Sequence, residues 1–384
     1  MKIQLVLVGI IFALPLSPTK TISKIAFGSC YGQFNNSNPR IFTSINTWQP
    51  DLFLWLGDVV YADEMYLPFM HTTMKFSDWQ QTYNNLKTLP SYAELSNSTM
   101  VTGIWDDHDY GLNAGNKTFI HKEISKQFFL EFLNETRDHE GIYHSVMFGE
   151  SGKRIKLILL DNRWFSDDKD NPDGDTFGEE QWEWLGKELK NPGEITLILV
   201  GIQVNVEYRY LLAEMIHEKS RIRLLNLIKD IPGVILVTGD IHYGELLLNK
   251  CWKYPIYEIT ASGLSHTELT TYGPVIIPYF SIYVQMPYNV YPRVHEKHFS
   301  TFEIDWETGL IEITHKNTLG DLIHSHTFYL KDLYTETSIN YICNQSLSDR
   351  HYAQFLTGLI IFILPILINL ISFIIFLRKF SHCY

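Results

Sequence analysis

The segment GIWDDHDYG, residues 103–111, places three carboxylates and one imidazole at four consecutive positions: Asp106, Asp107, His108 and Asp109. Like charges this close repel one another, so the cluster needs water, Lys or Arg partners, or a metal ion to offset the repulsion. Ile104 and Trp105 lead into the cluster from an apolar run, and no Lys or Arg lies within it. The segment therefore predicts a cation site.

Other apolar runs also end at residues of types that can bind metal ions. They are Cys30 after AFGS, Asp58 after LWLG, Asp161 after ILL, and Asp240 with His242 in LVTGDIH. One such residue alone would be interpreted as a turn residue. In layered α/β folds, however, sites form outside the carboxyl ends of the strands. We therefore expect these side chains to converge on one crevice.

The donor types narrow the choice of metal and reaction. Carboxylate oxygens suit hard cations such as Ca²⁺, Mg²⁺, Mn²⁺ or Fe³⁺, whereas a Cys thiolate and a His nitrogen favour a transition metal. The mixed set predicts two unlike metals that share a bridging carboxylate. Metal pairs about 3.5–4 Å apart hold the attacking and leaving oxygens of a displacement at phosphorus. No phosphate-binding or dinucleotide-binding glycine fingerprint occurs at these strand ends, which argues against a nucleotide-driven kinase or a Rossmann oxidoreductase.

The elements that must position these residues alternate along the chain. Continuous apolar runs such as DLFLWLGD and GVILVTGD are typical of central strands covered on both faces. Between such runs, EEQWEWLGKEL and RIRLLNLIKD place their apolar residues on one helical face. The alternation predicts a layered α/β domain. The patterns between Tyr257 and about Leu330 predict antiparallel strands of the same domain.

Composition limits the class of partner. The chain has 384 residues, of which 45% are hydrophobic, and this is enough for one large domain or two small ones. Its net charge is −12, and no block rich in Lys or Arg occurs in the body of the chain. Binding to a nucleic-acid backbone is therefore not expected.

Both ends of the chain resemble membrane-targeting segments. Residues 1–20 predict a signal peptide, with an uncleaved anchor as the alternative. Ala353–Leu377 carries no charge, is long enough to cross a bilayer, and precedes Arg378 and Lys379, which predicts a transmembrane helix with a cytosolic tail at 378–384. A cleaved lipid-anchor tail is the alternative. These segments predict a single-pass type I membrane protein with a lumenal or extracellular body.

Sequons and cysteines fit such a compartment. Acceptor sequences for N-glycans begin at five positions: Asn35, Asn97, Asn116, Asn134 and Asn344. An oxidising compartment permits a disulfide between Cys251 and Cys343, although sequence alone does not establish the pairing. Cys383 would be cytosolic and reduced, and Cys30 is left over.

Several motifs together resemble one known family. FGSC, PDLFLWLGDVVYAD, WDDHDYG, ILLDNRWF, GEEQWEWL, LVGIQV and TGDIHYGE occur in the order seen in alkaline-phosphatase-D-like (PhoD-like) metallophosphatases, from about Lys24 to Gly263. The resemblance implies a metallophosphoesterase-type β-sandwich flanked by helices over residues 21–345. It also implies two or more metal ions, with Fe³⁺ and Ca²⁺ expected.

The resemblance assigns roles to individual metal-binding positions. Asp58 matches the metal-bridging carboxylate, Cys30 the thiolate ligand and Tyr61 the iron-binding phenolate. Asp107 stands where the wider calcineurin-like superfamily has a metal-binding Asn. Asp106 is either a ligand or a helix cap. Asp240 and His242 match the last metal motif. The alternative for each residue is a structural role as a cap or in the packed core.

The same resemblance assigns the proton chemistry. His108 matches the catalytic histidine that donates to the phosphate or to the leaving oxygen, and Asp109 would orient His108 through a hydrogen bond. Two positions depart from the wider superfamily. Cys30 replaces the usual Asp-x-His motif, and Gln203 in GIQV stands where a histidine is usual. Both departures match the PhoD-like branch and redirect the choice of metal.

Three functional classes follow from these residues. The first is a membrane-anchored phosphoesterase that hydrolyses phosphate mono- or diesters with a metal-activated hydroxide. The second is a non-catalytic receptor or adhesion ectodomain that keeps the fold and has lost ligands. The third, a glycosidase with paired carboxylates, would not need Cys30 or the Asp-x-His of TGDIHYGE. Because the main ligands are intact, we favour the phosphoesterase.

Overall fold

Runs of five or six apolar residues form the centres of two β-sheets. The computed structural model of the chain describes residues 19–33, 39–67, 70–206, 216–267 and 289–337. Six strands form the first sheet: β1 (Lys24–Gly28), β2 (Leu52–Leu56), β5 (Met100–Ile104), β12 (His298–Asp305), β13 (Leu310–Asn317) and β14 (Leu322–Tyr329), in the spatial order β14-β13-β12-β1-β2-β5.

The second sheet also has six strands: β6 (His144–Phe148), β7 (Ile155–Leu159), β8 (Ile195–Val200), β9 (Val234–Thr238), β10 (Gly244–Asn249) and β11 (Ile256–Ala261), in the spatial order β10-β11-β9-β8-β7-β6. A separate hairpin consists of β3 (Asp63–Leu67) and β4 (Met70–Thr73). In the second sheet the middle strands run parallel, and antiparallel strands form both edges. In the first sheet β1, β2 and β5 run parallel at one end, and β12, β13 and β14 continue the sheet in antiparallel pairing.

Six helices in the described part of the chain pack around the sheets: α1 (Arg40–Trp48), α2 (Phe76–Thr88), α3 (Pro90–Ser98), α5 (Lys122–Leu133), α6 (Gly178–Glu188) and α7 (Glu218–Ile228). The single turn α4 (Asp107–Tyr110) follows β5. A 3₁₀ turn at Leu330–Tyr334 follows β14. The mixed α/β class and the strand–helix alternation predicted from the sequence are confirmed.

The residues of β8 show why the sheets form a sandwich. All six are buried, and successive side chains point to opposite faces. Leu197 and Leu199 join a core that also contains Leu54 of the first sheet, so this core fills the space between the two sheets. Ile198 and Val200 join a second core with Trp182 of α6 and Leu224 of α7 on the outer side.

The late antiparallel strands complete the sheet that the first strand begins. β1 pairs with β2 on one side and with β12 on the other, with Lys24 opposite Glu303 and Phe27 opposite Ser300. Close strand contact also requires Gly103 in β5, since a Cβ atom there would lie 2.5 Å from the Cβ atom of Trp55.

Several predicted features lie wholly or mainly outside the described residues. They are the signal peptide at 1–20, the transmembrane segment Ala353–Leu377, the tail at 378–384, two cysteines (Cys343 and Cys383) and two sequons (Asn35 and Asn344). In the part of the chain that is described, we find no helix with the length and apolar character needed to span a bilayer. Cys251 is disulfide-bonded, and Cys30 is free and buried.

Candidate metal centre

The carboxyl ends of strands from both sheets bring the predicted ligands into one crevice. Three groups of donor atoms each lie within 4.8 Å of one another: Cys30, Asp58 and His242; Asp58, Asp107 and His108; and Asp106, Asp107 and Asp240. Asp58 belongs to the first two groups, and Asp107 belongs to the last two. The groups are therefore continuous, and a carboxylate stands at each junction.

Unusual backbone geometry aims these ligands into the crevice. Four of the predicted ligands have positive φ angles: Cys30 (61°), Asp58 (50°), Asp240 (70°) and His242 (62°). Non-glycine residues seldom adopt this conformation, which persists where the surrounding structure enforces it and which clusters at functional sites. Gly57, which precedes Asp58, also has a positive φ angle, of 95°. Only glycine fits there, because a Cβ atom would lie 2.6 Å from the Cβ atom of Asp106.

Cys30 lies at the bottom of the crevice and is fully buried. Its Sγ atom is 3.0 Å from the hydroxyl of Ser262 and 3.4 Å from Oδ2 of Asp58. Burial, together with the charge of Asp58, raises the pKa of the thiol well above its usual range. A bound cation would reverse this effect, because a coordinated thiol is deprotonated.

Asp58 and Asp107 carry the strongest indication that a cation belongs here. Oδ1 of each side chain is buried and accepts no hydrogen bond from any residue in the described ranges. Burial, reinforced by the nearby charge of Asp107, raises the pKa of Asp58 well above its usual range. Burial would also raise the pKa of Asp107, but His108 and Arg163 lower it overall. The residues present therefore fit metal ions, which supply the positive charge that these oxygens need.

Tyr61 and His242 add neutral donors on the Cys30 side. The Tyr61 hydroxyl lies 3.3 Å from Nε2 of His242 and 2.7 Å from Nε2 of His266. Burial lowers the pKa of His242 to about 4, which keeps its imidazole neutral and able to bind a metal. Burial and the adjacent Cys30 raise the pKa of the Tyr61 phenol well above its usual range, so its ionisation requires a strong Lewis acid.

The prediction that Asp109 orients His108 is wrong. Oδ1 of Asp109 accepts hydrogen bonds from the backbone of Val60 at 3.0 Å and from the Tyr83 hydroxyl at 3.3 Å, and Oδ2 accepts one from the backbone of Asp106 at 3.2 Å. These bonds fix α4 against the loop after β2. Among the described residues, no hydrogen bond links the Asp109 carboxylate to the His108 ring.

Asp63 is the hydrogen-bond partner of His108 instead. Oδ1 of Asp63 is 2.6 Å from Nδ1 of His108, and the rings of Tyr61 and His108 stack with their centroids 3.9 Å apart. Burial would lower the pKa of His108, but the charges of Asp107 and Asp58 raise it well above its usual range. Asp63 ends the motif GDVVYAD, so the motif contained the signal for this residue.

Asp106 has a protein cation as its partner. Nε of Arg163 lies 2.5 Å from Oδ1 of Asp106, and Nδ2 of Asn162 lies 2.8 Å from the same oxygen. Arg163 follows β7 in the motif ILLDNRWF and is almost fully buried. Part of the repulsion predicted for residues 106–109 is thus offset by a guanidinium 57 positions further along the chain.

Two other sequence candidates have structural roles. Asp161 accepts hydrogen bonds from the Trp105 indole at 2.9 Å and from the Ile142 backbone at 3.0 Å, and it belongs to none of the three donor groups. The Gln203 amide donates to Glu245 at 3.0 Å and to Thr260 at 2.7 Å. Asp161 therefore stabilises a turn, and Gln203 belongs to a buried polar network behind the crevice.

Comparison with known proteins agrees with this geometry. The model of the PhoD-like phosphatase family matches residues 25–271. This chain belongs to the PhoD-like phosphatase family. It is accordingly a hydrolase of phosphoric esters, and its clustered acidic residues suit several metal ions. A comparison with curated protein sequences finds no match.

Solved structures show that the fold is shared more widely. A structure of PhoD is 16% identical, with a TM-score of 0.65, and the match covers 90% of this chain and 79% of that chain. A purple acid phosphatase from yellow lupin (Lupinus luteus) seeds is 12% identical, with a TM-score of 0.56 and coverage of 84% and 56%. GAP50, described as the anchor in the inner membrane complex of Plasmodium, is 12% identical, with a TM-score of 0.52 and coverage of 87% and 95%.

We expect Arg163→Met to destabilise the protein by about 3–5 kcal/mol, because it leaves the buried Asp106 carboxylate without its cationic partner. The measurement is the free energy of unfolding in urea with excess chelator, so that a bound cation cannot replace the guanidinium. Lys219→Met is the control, since it removes an exposed pair with Asp173 and should produce no measurable change. Equal effects of the two substitutions would contradict this account of Asp106.

Proposed function

We propose that this chain hydrolyses phosphate mono- or diesters in the crevice at the strand ends, with Fe³⁺ and Ca²⁺ as its metals. The observation that carries the proposal is the continuous set of donor groups joined through Asp58 and Asp107. Thiol, phenol and imidazole lie on one side of Asp58, and carboxylates lie on the other. Such a division suits two cations of different hardness that share one bridging carboxylate.

The two metals would have different candidate ligands apart from Asp58, which they would share. Four residues would hold the ferric ion: Cys30, Asp58, Tyr61 and His242. Four carboxylates would hold Ca²⁺: Asp58, Asp106, Asp107 and Asp240. When bound, such cations supply a water of lowered pKa and neutralise phosphate oxygens.

His108 is the proton donor in this proposal. Asp63 accepts only, since it is a carboxylate, so Nδ1 of His108 carries a proton directed at it. Nε2 is then the atom that exchanges a proton with substrate. Stacking on Tyr61 and the bond to Asp63 hold the ring in one orientation. Protonated at Nε2, His108 donates to the leaving oxygen as the bond to phosphorus breaks.

A non-catalytic role for the fold is the alternative, and the neighbour described as an anchor shows that this architecture occurs in proteins with other descriptions. A protein with such a role would not need to keep a thiol, a phenol and several carboxylates buried together on strained backbone. Retention of that set in this chain supports the enzymatic function.

We further propose that the enzyme is a type I membrane glycoprotein with its catalytic domain in the lumen or outside the cell. The support is the sequence of the two ends, together with the exposure of Asn97 and Asn134. Both asparagines are accessible to the glycan-transfer machinery.

Asp58→Asn should abolish turnover of a chromogenic phosphate ester, because it removes the charge shared by both cations without changing the shape of the side chain. Removing a residue that only hydrogen-bonds to a metal ligand lowers metal affinity or activity about 10–100-fold. Removing the charge of the bridging ligand itself should lower them more. Asp51→Asn is the control at the opposite end of β2, where Asp51 bonds to Lys20 and to the backbone of Ser23. Near-normal activity and metal content in Asp58→Asn would refute the bridging role.

The purified protein should be coloured, because a phenolate bound to ferric iron gives a visible charge-transfer band. Tyr61→Phe should bleach or shift this band, whereas Tyr83→Phe, whose hydroxyl bonds to Asp109, should leave it unchanged. Cys30→Ser should weaken retention of iron more than retention of calcium. Elemental analysis is the second measurement. A colourless, active enzyme without iron would overturn the mixed-metal proposal and leave the phosphoesterase standing.

Truncation of the chain before Ala353 should give a secreted, soluble protein, because it removes the segment proposed to cross the membrane while the amino-terminal signal peptide is cleaved. Fractionation of cells and medium is the measurement, with the full chain as the control. If the truncated protein stays in the membrane, the amino-terminal segment is an anchor.

A further inference from the structure

Two histidines, and not one, bind the carboxylate that orients His108. Nδ1 of His71 lies 2.6 Å from Oδ2 of Asp63, and Nδ1 of His108 lies 2.6 Å from Oδ1. The backbone N–H of Asn113 also donates to Oδ2, at 3.1 Å. Each oxygen of Asp63 therefore has an imidazole partner, and the three side chains form a continuous row that ends at the metal centre.

The β3–β4 hairpin creates this row. In its register, Asp63 lies opposite Thr73 and Met65 lies opposite His71. Side chains two positions apart on a strand share a face, so Asp63 and His71 are diagonal neighbours on one face of the hairpin. The backbone of Ala62 donates to the carbonyl of His108 at 3.1 Å, which ties the hairpin to α4. The hairpin thus carries both the carboxylate and its second imidazole to the histidine.

Exposure distinguishes the members of the row. The side chain of Asp63 is 1% exposed, whereas those of His108 and His71 are 12% and 20% exposed. A buried carboxylate is held in place by its hydrogen-bond partners, and leaving one of its oxygens unpaired is costly. Without His71, Oδ2 would keep only the Asn113 N–H among the described residues, and Asp63 would be held less firmly in its orientation towards His108.

We infer that His71 is a positioning residue for hydrolysis, which holds Asp63 so that His108 presents its proton to the leaving oxygen of an alkyl phosphate ester. This inference rests on the proposed function of the site. Alcohols of alkyl esters are poor leaving groups and need a proton as the bond to phosphorus breaks. Nitrophenolate leaves without one. A site in which Asp63 and His71 together hold the proton donor His108 in place is therefore suited to alkyl esters.

The test compares two substrates with the full-length enzyme in its metal-loaded form. His71→Leu removes the hydrogen-bond donor, and His71→Asn replaces Nδ1 by a neutral amide donor at the same distance from the backbone. With methyl phosphate, or the matching diester, we expect kcat of His71→Leu to fall about 10-fold or more, a part of what a general acid contributes. KM should change little. With 4-nitrophenyl phosphate, or its diester, the fall should be much smaller, and His71→Asn should recover most of the loss.

The controls separate the possible failures. His326→Leu removes a histidine that bonds to the Tyr257 hydroxyl on the edge strand β14, and it should leave both rates unchanged. An equal loss on both substrates in His71→Leu, or no rescue by His71→Asn, would show that His71 only stabilises the hairpin and would overturn the inference. A wild-type enzyme that cleaves neither ester would instead overturn the proposed function.

Discussion

The carboxylates of Asp58 and Asp107 lie close together in a buried crevice, and their repulsion is the constraint that the rest of the site must satisfy. Neither can move away, since each directly follows a buried strand or its short extension. Some of the charge is offset by fixed donors, such as the Ala114 N–H at 2.7 Å from Oδ2 of Asp107. Oδ1 of Asp58 and Oδ1 of Asp107 accept no hydrogen bond within the described ranges, so added cations would stabilise the ionised crevice.

The site has two parts, which different elements of the fold hold in place. The proposed metal ligands lie at or just beyond the ends of strands from both sheets, where close packing and strained φ angles fix their directions. The residues proposed to handle the proton lie on the small hairpin and on the single turn of α4, outside the two sheets. This division matches the demands of the chemistry, because ligands must be rigid for the metal, whereas a proton donor must remain accessible to substrate.

The sequence predicted the candidate metal ligands better than the residues around His108. Strand ends are visible as apolar runs that stop at a polar residue, so the convergence of Cys30, Asp58 and His242 could be expected without a structure. The partner of His108 could not be predicted in the same way. Asp109 is close in sequence, but its carboxylate bonds to the backbone of Val60 and Asp106, and only the fold shows that Asp63 comes from the β3–β4 hairpin. The pairing of Arg163 with Asp106 was not predicted either. The two residues follow strands of different sheets, and such a contact leaves no local pattern in the sequence.

Cys30 reaches its final surroundings late in the life of the chain. The Sγ atom contacts Ser262, 232 positions away, and the backbone of Cys30 accepts a bond from the Ser265 N–H at 3.2 Å. During synthesis this thiol therefore emerges long before the residues that enclose it. Cys251, which ends in a disulfide, emerges in the interval. A premature bond between these two sulfurs would remove a proposed metal ligand. Early metal capture by Cys30 and Asp58, which are neighbours in the first sheet, would protect the thiol, and metal supply would then influence the yield of folded protein as well as its activity.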